Sequence, residues 1–128
     1  MTQRVLNCFL IDDDPDDQEI FCMALEDMHK KVNCIYVSDG VDALKKLKDK
    51  TQIPDYVFID MNMPRMNGNQ CLKEIKKIDH LKEVPVYMYS TSADPESVAE
   101  TKRLGAAGFI VKPTSVSELT KTLSFCLK

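Results

Sequence analysis

A basic surface is what this chain most plainly lacks. Lysine and arginine number 17 against 20 aspartates and glutamates, a formal net charge of -3 at pH 7, which argues mildly against nucleic-acid binding through its own surface. No apolar run approaches the roughly 18 residues of a membrane helix, and the first residues carry no basic stretch followed by an apolar core. A cytoplasmic protein without membrane contact is expected. Cysteine pairs are lacking too: Cys8, Cys22, Cys34, Cys71 and Cys126 are odd in number and none stand at two-residue spacing. Small buried hydrophobes in a reducing compartment explain them better than disulfides or a metal. His29 and His80 stand alone beside lysines and are expected at the surface without a role. Repeats, low-complexity tracts and linkers are absent. With 128 residues, 44% hydrophobic and 29% charged, residues 1–128 make one globular domain, large enough to bury roughly two thirds of the surface exposed by its unfolded chain.

What is present is an alternation. Apolar runs of strand length and amphipathic stretches of helix length succeed one another five times, the pattern of a parallel α/β fold. Strands are expected over Val5 to Ile11, Ile35 to Val37, Tyr56 to Ile59, Val84 to Tyr89 and Phe109 to Val111. The third, apolar without alternation, reads as a central strand buried on both faces. Between them, Phe21, Ala24, Leu25 and Met28 mark one buried helix face, Val41, Leu44 and Leu47 a second, and Leu72, Ile75 and Ile78 a third. Asp94-Pro95-Glu96 opens a fourth helix and Gly105 closes it. That helix has few large apolar residues, so it should pack lightly and offer surface to a partner. Val116, Leu119, Leu123 and Cys126 or Leu127 line the last.

The strand ends carry the chemistry. Two apolar runs end in Asp12-Asp13-Asp14 and in Asp60, and later ones end in Ser90 and Lys112. In an open parallel sheet these ends line one crevice. Magnesium takes six oxygens and typically one or two carboxylates plus phosphate oxygens. Asp13 and Asp60 could bind it directly, Asp12 through a water, and the backbone carbonyl of Asn62 could add a neutral oxygen. A carboxylate can itself attack phosphorus, with catalysis by positioning and charge neutralisation. Asp60 is the expected nucleophile, with Lys112 and Ser90 sharing the phosphoryl oxygens. Taken singly, each residue has a plainer explanation: a charged helix start, a loop acid, a turn serine, a solvated lysine. Their common position at strand ends outweighs those explanations. Asp14, Asp16 and Asp17 are left to loop and helix-start electrostatics.

The segments Leu10-Ile11-Asp12-Asp13-Asp14, Asp60-Met61-Asn62-Met63-Pro64-Arg65-Met66-Asn67-Gly68, Pro85-Val86-Tyr87-Met88-Tyr89-Ser90 and Gly105-Ala106-Ala107-Gly108-Phe109-Ile110-Val111-Lys112-Pro113 resemble the response-regulator receiver domains of two-component signalling, in particular the stand-alone chemotaxis type. The resemblance spans nearly the whole chain. It implies a doubly wound, flavodoxin-like five-stranded parallel sheet in the order 2-1-3-4-5 with helices on both faces. It implies Asp60 as phospho-acceptor, Asp12 and Asp13 with the Asn62 carbonyl as magnesium ligands, and Lys112 as phosphate contact. Ser90 matches the switch hydroxyl, Phe109 the aromatic that rotates inward with it, and Lys112–Pro113 a bond often found cis. Such a protein takes its phosphoryl group from a histidine kinase or phosphotransfer protein, promoting its own phosphorylation and dephosphorylation without being a conventional turnover enzyme.

Tyr87 and Tyr89 depart from the aliphatic residues usual on the fourth strand, and Phe109 lacks a tyrosine's hydroxyl. The sequence ends after the fifth helix, so action through an unknown downstream protein target is expected in place of an output domain. Two other functions fit the same residues. One is a magnesium-dependent phosphatase with an aspartyl nucleophile, disfavoured because Asn62 stands where such an enzyme usually places its second acid. The other is a receiver-like scaffold that is never phosphorylated.

Overall fold

The structure, a computed structural model, describes residues 5–28, 30–50, 53–63 and 66–127. His29, Pro64 and Arg65, named above, lie outside them. Five parallel strands, β1 (Leu6–Ile11), β2 (Val32–Val37), β3 (Tyr56–Asp60), β4 (Val86–Ser90) and β5 (Gly108–Val111), pair in the order β2-β1-β3-β4-β5. The crossovers are α1 (Pro15–Glu26), α2 (Gly40–Leu47), α3 (Gly68–Lys76) with a short 3-10 turn at Asp79–Leu81, and α4 (Pro95–Arg103); α5 (Val116–Cys126) follows β5. This is the flavodoxin-like arrangement expected above. Among the described residues, no helix is long and apolar enough to cross a membrane.

β3 is buried at Val57, Phe58, Ile59 and Asp60, as a central strand covered on both faces should be. β2 starts earlier than its apolar run suggests. It is an edge strand: Asn33 and Ile35 lie exposed on one face, while Val32, Cys34 and Tyr36 pack on the other. A polar residue on the open face interrupts the apolar signal but not the backbone ladder. The strand therefore includes Asn33, paired with Asn7 of β1.

One core layer joins α1 and α5 to the sheet through Phe21, Phe58, Tyr89, Leu119 and Leu123. The other joins α2 and α3 through Leu44, Leu47, Ile59, Leu72 and Ile75. Val41, expected inside, is 41% exposed. The buried face of α2 is instead Gly40, Ala43, Leu44 and Leu47, an i, i+3, i+4, i+7 set that rotates Val41 outward. Met28 and Ile78 join their clusters from just beyond the ends of α1 and α3.

α4 buries only Thr101, in keeping with its polar sequence. Its start is well made: Asp94 accepts from the Ser97 amide at 3.1 Å, and Pro95 occupies the first turn. Gly105, just beyond its end, has φ 102, a left-handed backbone that favours glycine. The five cysteines are free, and burial pushes the thiols of Cys34 and Cys71 up to about 12. His80 is held rather than loose, its Nε2 hydrogen-bonded to the Leu47 carbonyl at 2.8 Å.

Candidate functional site

Strand register assembles the site. Ile11 pairs with Ile59, Asp60 with Tyr89 and Ser90 with Val111, so the residues at or just past these ends are neighbours. The ladder runs on beyond the pairs: the Asp12 amide donates to the Val37 carbonyl at 2.9 Å, and the Lys112 amide to the Ser90 carbonyl at 2.6 Å. Backbone hydrogen bonds thus fix where Asp12 and Lys112 leave the sheet.

Carboxylate oxygens of Asp12, Asp13 and Asp60 lie within 4.8 Å of one another. Asp12 is fully buried and Asp60 is 5% exposed. The Asp12 carboxylate accepts from the Asp14 amide at 3.0 Å through Oδ1, and Asp60 Oδ1 accepts from the Asn62 amide at 3.2 Å. Lys112 Nζ sits 3.2 Å from Asp12 Oδ2 and 3.5 Å from Asp60 Oδ1. A cleft of about 450 Å³ opens beside them, lined by Asp13, Asp17, Asp60, Asn62, Thr91 and Lys112, among others.

The electrostatics follow from burial. Desolvation first, then the neighbouring Asp12 charge, push the Asp60 carboxyl up to about 7, against the pull of Lys112 and the Asn62 amide. Asp12 is shifted upward too, again chiefly by burial. Burial pulls the Lys112 ammonium down, but the carboxylates around it outweigh that and leave it raised. Three clustered carboxylates beside one ammonium are short of positive charge. Asp12 Oδ2 is buried without a hydrogen bond, its cationic neighbour being Lys112. A hard divalent ion such as magnesium suits this all-oxygen set.

Asp12, Asp13, Asp60, Asn62 and Lys112 are therefore brought together as expected. Ser90 is 3% exposed, and its Oγ accepts from the Ser92 amide at 3.4 Å; the cleft wall beside it is Thr91. Phe109 is half-buried against the α2 and α3 layer. The expectation of a cis Lys112–Pro113 bond is corrected: among the described residues no peptide bond is cis. Trans is favoured by about 0.5–1 kcal/mol before proline.

Asp17 stands in the first turn of α1 as expected, but it also has a role in the site that the sequence does not show. Assigned above to the helix start, it accepts from Lys112 Nζ at 2.6 Å. Pro15-Asp16-Asp17 puts it in the first turn of α1, beside the end of β1, but only the fold reveals Lys112 across the cleft. Tyr89, the unusual residue of the fourth strand, also belongs to the site. Its ring lies under Lys112, the ammonium 5.1 Å from the ring centre, a cation–π contact.

Gly68 sets how closely the loop after β3 can fold back on the site. A Cβ there would lie 2.8 Å from both the Asp60 carbonyl oxygen and the Met61 Cα, backbone atoms that cannot yield cheaply. Gly68→Ala is expected to cost roughly 1–3 kcal/mol through overpacking and to displace the Asp60–Asn62 hydrogen bond. Urea denaturation and the amide resonance of Asn62 measure the two effects; a variant as stable as wild type with that resonance unmoved contradicts the expectation.

The sequence pattern of the response regulator receiver domain matches residues 8–124. Chemotaxis protein CheY-3 of Vibrio cholerae is 39% identical over 85 residues, 66% of this chain and 64% of the relative; the match spans a little under two thirds of that relative's length. Protein PilG of Pseudomonas aeruginosa is 34% identical over 106 residues, 81% of this chain and 77% of PilG. Among solved structures, the chemotaxis response regulator CheY4 of Vibrio cholerae superposes with a TM-score of 0.81 at 30% identity, covering 95% of this chain and 98% of the other. The phosphorylated cyanobacterial phytochrome response regulator RcpA gives 0.83 at 25% identity, covering 96% and 91%. The chain belongs to the response regulator receiver domain family.

Proposed function

We propose that this chain accepts a phosphoryl group on Asp60 from a histidine kinase or phosphotransfer protein and thereby changes which partner it binds. The observation that carries the proposal is the cluster itself: a buried carboxylate at the end of the central strand, 3.5 Å from Lys112 and grouped with Asp12 and Asp13. That RcpA was solved phosphorylated supports the reading. Asp60 attacks phosphorus through a carboxylate oxygen. As the new O–P bond forms, the P–N bond of a donor phosphohistidine breaks, and the imidazole nitrogen leaves with the electron pair. Asp12, Asp13, Asp60 and the Asn62 carbonyl would hold magnesium, which when bound supplies the charge neutralisation this transfer needs.

The residues of the chain do the rest. Lys112 pairs with a phosphoryl oxygen as a point charge. The Asn62 amide, already on Asp60, orients the nucleophile. Ser90, buried at the end of β4, moves toward the new group, and Phe109 follows it inward. The lightly packed α4 and the neighbouring β5 and α5 then carry the change to a protein target. The protein works in the cytoplasm as a binding switch, not as an enzyme acting on a separate substrate.

Incubation with magnesium and acetyl phosphate is expected to give an acid-stable, base-labile adduct of one phosphoryl group, visible by intact mass. In that assay a P–O bond breaks and acetate leaves. Asp60→Asn is expected to take up none. An Asp60→Asn protein that acquires the same adduct removes Asp60 from the role, and steady release of phosphate from ordinary monoesters favours the phosphatase instead.

A further inference from the structure

Lys112 has three carboxylates within reach, and the one it approaches most closely is on a helix. Its Nζ lies 2.6 Å from Asp17 Oδ2, against 3.2 Å from Asp12 and 3.5 Å from Asp60. The helix start does not require Asp17. Asp14 caps α1 by accepting from the Asp16 amide at 2.9 Å, the Asp14 carbonyl receives the Gln18 amide at 3.1 Å, and the Asp14 amide is taken by Asp12. The Asp17 carboxylate instead crosses the cleft to a lysine 95 residues away. The lysine side chain is 10% exposed and that of Asp17 26%, so solvent screens the pair only in part.

We infer that Asp17 is a positioning residue that holds Lys112 in reserve: it draws the ammonium toward α1 while the site is unphosphorylated and competes with the phosphoryl group for it afterwards. The inference rests on the reading of Asp60 as phospho-acceptor. Two consequences follow from one ammonium being shared. By drawing Lys112 away from Asp12 and Asp60, and by adding a negative charge at the rim, Asp17 favours a divalent cation on the strand-end carboxylates. By occupying Lys112, it slows transfer once the cation site is filled.

The test compares wild type, Asp17→Asn, Asp17→Glu and Lys112→Ala with the double variant Asp17→Asn/Lys112→Ala. Magnesium affinity is measured by calorimetry, and the adduct-forming rate with acetyl phosphate at saturating magnesium. Asp17→Asn is expected to weaken magnesium binding roughly three- to tenfold and to speed adduct formation by a similar factor. Asp17→Glu, which keeps the charge, recovers most of the magnesium affinity. In the Lys112→Ala background the rate effect of Asp17→Asn is expected to shrink to less than about twofold, because the pair no longer exists. Equal magnesium affinity and equal rate for Asp17→Asn and wild type overturn the inference, as does an undiminished rate effect without Lys112. Should wild type form no adduct at all, the Asp60 reading fails, and the magnesium arm still judges Asp17.

Discussion

Asp60→Asn should make the protein more stable, by about 2 kcal/mol in metal-free buffer at pH 8. The Asp60 carboxyl is held up at about 7 by burial and by Asp12, whereas in the unfolded chain it titrates near the ordinary 3.8. Between those values the folded protein keeps a proton that the unfolded chain has released. Stability therefore falls as pH rises through this window, and the loss is complete above it. The full shift corresponds to about 4 kcal/mol; sharing of charge with Asp12 and relaxation around Lys112 bring the expected gain to about half of that. Near pH 4 the two proteins should be equally stable. Magnesium should narrow the gap at pH 8 by stabilising wild type, which alone keeps the full set of carboxylates. Urea denaturation at both pH values, with and without magnesium, measures all of this, and an Asp60→Asn protein no more stable than wild type at pH 8 would contradict the electrostatic account.

Phe58→Ala should be the more damaging change, costing about 3–5 kcal/mol. Phe58 lies fully buried on the central strand, next to Ile59 and Asp60. Its ring meets Phe21 edge-on at 5.1 Å and stacks on Tyr87 at 5.5 Å. Truncation opens a cavity between α1 and the sheet and removes two aromatic contacts together. Met23, on the outer side of α1 at 48% exposure, provides the contrast: Met23→Ala should stay within about 0.5 kcal/mol of wild type. A Phe58→Ala cost under about 1 kcal/mol would mean that α1 can close over the gap.

How much was legible in the sequence depended on where each signal resides. Asp60 could be placed because a central strand advertises itself as an unbroken apolar run, and its last residue is then displayed at the crevice. Lys112 was found in the same way, from the end of β5. α4 was legible because Asp94, Pro95 and Gly105 act within a few bonds of the turns they make. Val41 was misplaced because a helix of two turns has two nearly equivalent apolar phases, and Gly40, with no side chain to weigh, settles which one faces inward. β2 was shortened because an edge strand tolerates Asn33. Asp17 was hidden for a different reason: its partner is supplied by the last strand, and no local pattern in α1 encodes it. The cis expectation for the bond before Pro113 rested on family resemblance alone, and no residue around it in the sequence encodes the isomer.

The ring beneath Lys112 has a practical consequence. The chain has four tyrosines and no tryptophan, so its near-ultraviolet signal comes chiefly from phenol rings, and one of them, Tyr89, has the ammonium 5.1 Å above its centre. Any event that shifts Lys112 alters the field on that ring and hence its absorption and emission. The protein thus carries a built-in optical gauge of where its lysine points, readable in real time without a label.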